Sequence, residues 1–134
     1  HEVLAGILVE AVLAGEAGDA RSAATQIARA RGQDLGTAER TRLRPGRLGP
    51  ERALTLAGEI LADRGFEPQR TAPTGMLLRN CPFHPLAARA PALVCGINHA
   101  YLSGLLEGLG AETVEALLDP RPACCCVRLA GAVR

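Results

Sequence analysis

Residues 65–81 read GFEPQRTAPTGMLLRNC, and this stretch decides the fold. Upstream of it, apolar residues recur at helical spacing; within it the pattern changes. Residues 66–71 and 75–81 read as two short strands around a turn signal at Ala72, Pro73, Thr74 and Gly75. Downstream, residues from about 91 to 109 carry a helical pattern closed by Gly110. Residues 113–118 and 124–129 read as two further strands around Asp119, Pro120, Arg121 and Pro122. The order β-β-α-β-β predicts an α+β fold: an antiparallel sheet with one long helix on its face.

The preceding part, residues 1–64, reads as helical. Leu4, Ile7, Leu8, Ala11 and Val12 form one apolar stripe, and Gly15 and Gly18 close it. Asp19 suits the cap of a second helix with Ala24, Ile27 and Ala28 on one face. Residues 40–47 read as a basic connector punctuated by Pro45 and Gly46. A third helix starts at Pro50, buries Leu54, Ala57, Ile60 and Leu61, and closes at Gly65. The division is therefore 1–64, helical, and 65–134, an α+β unit that holds all the cysteines.

Composition excludes several classes of function. The 134 residues include no Trp, one Tyr and two Phe, so no aromatic platform for stacking bases is available. All 15 basic residues are Arg, which removes Schiff-base and phosphate-loop lysines. The net charge of +1 gives no bulk attraction to nucleic acid. The arginines at 40, 42, 44, 47 and 52 read as a solvated surface. No apolar run nears the roughly 20 residues that span a bilayer, so no membrane partner is expected. The chain starts at His1 inside a helical pattern, which reads as a fragment with its natural beginning upstream.

Five cysteines lie between Cys81 and Cys126. An odd number crowded into one region fits a cytoplasmic thiol, metal or cluster site better than a secreted disulfide framework. Cys81, Cys95 and the triplet Cys124, Cys125, Cys126 fall on three separate elements. Strand alternation puts Cys125 on the face of Val127 and Leu129, toward the helix, and Cys126 on the face of Arg128, toward water. Cys125 is thus the expected inward member, with Cys124 and Cys126 as the alternatives if the register slips by one. Cys95, Asn98, His99 and Leu102 share a helical stripe. His99 reads as a surface or capped core histidine. His84 follows Cys81 at C-x-x-H spacing and stands between a ligand and a cap for the turn around Pro82 and Pro85. Cys81, Cys95, Cys125 and one histidine have the composition of a four-ligand site for zinc or an iron–sulfur cluster.

Residues 78–87 (LRNCPFHPLA), 93–98 (LVCGIN), 104–110 (GLLEGLG) and 125–129 (CCVRL) resemble a known family. It is the C-terminal sensor region of ArsR-like or DeoR-like winged-helix regulators related to the repressor of the iron–sulfur-assembly (Suf) operon. The resemblance implies a homodimeric, cytoplasmic transcription regulator. Its operator DNA would be bound by an N-terminal winged helix absent from this chain, and residues 1–64 would link and dimerise. It implies a 4Fe–4S or 2Fe–2S cluster on Cys81, Cys95 and Cys125, with His84 the first choice for the fourth ligand. The expected mechanism is that cluster loss reorients the helices and the DNA-binding heads.

The competing reading is a zinc-binding or thiol redox-switch module, in which Cys95 near a helix start favours its thiolate. An enzyme with Cys95 as nucleophile and His99 as base is not expected, because no oxyanion signature accompanies the pair.

Overall fold

Pro50 sits in the first turn of a helix whose buried residues include Leu54, Ala57, Ile60 and Leu61, the expected stripe. That helix is α3, Pro50–Ala62. Gly65 closes it at φ 94°, with the Phe66 N–H donating to Leu61 O at 3.1 Å. Phe66 and Leu61 are both buried in the core. Gly110, at φ 78°, ends the long helix in the same way, with the Ala111 N–H on Leu106 O.

The computed structural model describes residues 2–14, 20–80, 91–120 and 125–132. Helices α1 (Glu2–Ala14), α2 (Ala20–Leu43) and α3 lead to strands β1 (Pro68–Ala72) and β2 (Gly75–Leu78). Helix α4 (Pro91–Leu109) and strands β3 (Val114–Leu118) and β4 (Val127–Gly131) follow. The fold is α+β: N-terminal helices, a four-stranded antiparallel sheet and a long helix packed against it. The strand order is β1-β2-β4-β3, so β4 is interior and pairs with both β2 and β3.

Alternation on the sheet sends Met76 and Leu78, Val114 and Ala116, and Val127 and Leu129 into the core. There they meet α3 and α4, and buried residues from Leu4 to Leu129 form one cluster. The expected basic connector starts later than its charge suggests. Helix α2 runs on through Arg40 and Arg42 to Leu43, and Arg44 turns the chain at φ 47° with its N–H on Arg40 O. Pro45 disfavours helix at the residue before it, and this, not the run of arginines, ends α2.

Helices α2 and α4 approach at backbone distance. A Cβ on Gly104 would overlap Arg29 O, and one on Gly108 would overlap Gln33 O. Reciprocally, Gly32 faces Tyr101 O and Gly36 faces Leu105 O. A pair of glycines four residues apart on each helix therefore makes the contact, and the two helices run in the same direction across it. This seat fixes α4, and with it Cys95 and Asn98, over the sheet. Among the described residues, no helix is long and apolar enough to cross a membrane.

Strands β2 and β4 differ from the expected bounds, and the difference matters for the cysteines. β2 stops at Leu78, because Asn80 clamps the hairpin mouth instead of extending it. Its side chain accepts from the Glu67 N–H at 2.7 Å and donates to Gly65 O at 3.0 Å. β4 begins at Val127, the partner of Leu118 in the last rung. Past Leu118 the chain reaches Pro120, which has no N–H to continue the ladder.

Candidate functional site

Because the ladder starts at Val127, Cys125 and Cys126 lie outside it, and strand alternation does not govern them. Both are buried, at 3% and 8% exposure. Backbone hydrogen bonds fasten the pair across the sheet end. The Cys125 N–H donates to Leu78 O at 2.8 Å, and the Asp119 N–H donates to Cys126 O at 2.7 Å. The first bond ties the dipeptide to the end of β2, the second to the end of β3.

Cys95 lies near the start of α4 and is half-buried. It forms a disulfide with Cys126, the two Cα atoms standing 6.1 Å apart, a separation that suits the bond. This corrects the choice of Cys125 as the inward partner of Cys95. Cys126 does not turn to water with Arg128. It points to the helix, while Arg128 pairs with Asp119 at 2.8 Å.

Cys125 points to a different partner. The Asn98 Nδ2 donates to Cys125 Sγ at 3.0 Å. Asn98 is fully buried, three residues beyond Cys95 on α4. Among the described residues its Oδ1 is the one buried side-chain nitrogen or oxygen without a hydrogen-bond partner. One turn along, the His99 Nε2–H donates to Ala116 O at 2.9 Å on edge strand β3. His99 is thus a capped histidine, as its sequence position suggests. Cys95 is held in the disulfide and His99 Nε2 is taken by a carbonyl, so the two do not present a nucleophile beside a base.

The iron–sulfur expectation is overturned. A cluster needs thiolates, and the Cys95 sulfur is bonded to that of Cys126. Among the described residues, no group of three or more His, Cys, Asp or Glu side chains is arranged to hold a metal ion. The sensor that reports cluster status to a DNA-binding head falls with it. The other expected ligands, Cys81 and His84, and the alternative Cys124, lie outside the described residues.

Comparison with protein-family models, with curated proteins and with solved structures finds no match.

Two features of the site escaped the sequence reading. Asn98 was visible on the Cys95 stripe, but its full burial depends on how α4 seats against the sheet. The glycine pairs Gly32/Gly36 and Gly104/Gly108 were a readable signal of close helix contact, and they set that seat.

Proposed function

We propose that this chain is a thiol redox-switch module in which Cys95 and Cys126 cycle between disulfide and dithiol. The observation that carries this reading is the position of the cross-link. It joins the start of α4 to the residue preceding β4, the interior strand that pairs with both β2 and β3. Making or breaking it alters how firmly the helix is tied to the sheet.

Exposure sets the direction of exchange. An external dithiol reaches half-buried Cys95 more readily than Cys126. Its thiolate attacks Cys95 Sγ, the Cys95–Cys126 bond breaks, and the Cys126 sulfur leaves as a thiolate that takes up a proton. The second thiol of the reductant then displaces Cys95, forming the reductant's own disulfide. The Cys95 thiolate so released takes up the second proton. Two electrons and two protons pass from the reductant to the pair. The reverse sequence, against an oxidised dithiol, restores the cross-link.

The test is a redox titration of the full chain in dithiothreitol buffers, read by counting alkylated thiols. A switch gives a reversible two-electron transition at a potential above about −300 mV, whereas structural disulfides lie below it. A transition below that value, or none, contradicts the proposal.

A further inference from the structure

We propose that Asn98 is a positioning residue that biases the Cys95–Cys126 pair toward the dithiol, because its buried amide oxygen has no partner beside the disulfide and a thiol of the reduced pair can donate to it. The inference rests on the switch reading above.

An asparagine amide offers two N–H donors and an oxygen with two lone pairs. In the disulfide form the Asn98 Nδ2 is engaged by Cys125 Sγ, while Oδ1 has no partner in a fully buried setting. A disulfide sulfur carries no hydrogen and cannot supply one. Reduction creates two S–H donors, at Cys95 and Cys126. Cys95 precedes Asn98 by three residues on the same face of α4, and Cys126 directly follows the cysteine that Asn98 already holds. The Cys125 sulfur is at the Nδ2 end of the amide, so the donor that Oδ1 needs is one of the two new thiols. An unpaired buried acceptor is costly, and reduction supplies a donor that relieves it. The amide therefore makes the cross-link easier to break than an apolar side chain would.

The test compares the midpoint potentials of the wild-type chain, Asn98→Leu and Asn98→Ala in dithiothreitol buffers, with melting curves of both redox forms. Removing the amide shifts the equilibrium about tenfold toward the disulfide, which is about 30 mV more negative for a two-electron couple. If the leucine variant does not fold, the alanine variant carries the comparison. A purely structural asparagine would destabilise both redox forms alike and leave the potential unmoved. An unmoved or more positive potential in the variants overturns the role of Asn98 while leaving the switch intact. Absence of a reversible couple in the wild-type chain overturns the switch, and this inference with it.

Discussion

Cleaving the Cys95–Cys126 bond releases a closed loop spanning a sequence separation of 31. In the chain-entropy treatment, a loop of that length restrains the unfolded chain by roughly 12 cal/mol/K, or about 3.7 kcal/mol at 25 °C. For a chain of 134 residues, the average unfolding entropy per residue converts this into a melting shift of roughly 13 °C. The assay is a thermal melt followed by circular dichroism, with and without dithiothreitol, on the wild-type chain and on Cys126→Ser. Reduction should lower the wild-type melting temperature by that amount. The serine variant should start at the reduced value and not respond to dithiothreitol. A wild-type melt indifferent to the reductant would refute the reasoning, because the cross-link would then restrain nothing that unfolding releases. A response of equal size in Cys126→Ser would assign the restraint to other cysteines.

Gly104→Ala should cost roughly 3 kcal/mol or more in denaturant unfolding, since its Cβ meets the Arg29 carbonyl of a neighbouring helix rather than a yielding side chain; a loss under about 1 kcal/mol would show that α2 and α4 separate easily. Burial pushes the Tyr101 phenol above its ordinary value of 10.0, with Arg64 and Arg31 partly offsetting it. Its stabilising effect is therefore complete below pH 10 and is lost as pH climbs through the higher folded value. As the single tyrosine of the chain, Tyr101 can be titrated by its phenolate absorbance, and a midpoint at or below 10 contradicts its burial. Arg44→Gly should raise the melting temperature by a few degrees, about 0.5–1 kcal/mol, by relieving a left-handed residue that carries a Cβ; an unchanged or lower melt would mean that the Arg44 side chain compensates for its backbone.

Much of the fold was legible because the signals were local. Pro50 and Pro91 mark helix starts, and Gly65 and Gly110 mark helix ends at positive φ. The apolar stripe of α3 and the turn before Gly75 depend on neighbours in sequence, so periodicity captures them. The site was harder because it depends on where a ladder stops. Reading the strand back to residue 124 imposed an alternation that sent Cys126 outward. Beyond Leu118 a single backbone bond, from the Asp119 N–H to Cys126 O, remains of the ladder, and the Cys126 side chain turns to meet Cys95. The end of α2 is hard to read for a related reason: Arg40 and Arg42 are good helix formers, and charge alone does not end a helix. The role of Asn98 was hidden because burial of a polar side chain is a property of packing. Nothing local separates it from a surface asparagine.

The central claim, that Cys95 is joined to Cys126, is tested most directly by mapping the linkage in the air-oxidised chain. Trypsin cannot do it: after Arg89 the only arginine before Arg128 is Arg121, which precedes Pro122, so one peptide holds both cysteines. Cleavage after glutamate separates them at Glu107, Glu112 and Glu115. Mass spectrometry of that digest should show the peptide 68–107, which holds Cys81 as well as Cys95, bonded to the one bearing Cys126, with fragment ions placing the bond at Cys95 on one side and at Cys126 on the other, and dithiothreitol should divide the pair. Recovery of Cys95 as an alkylated thiol, or bonded to another cysteine, would contradict the account.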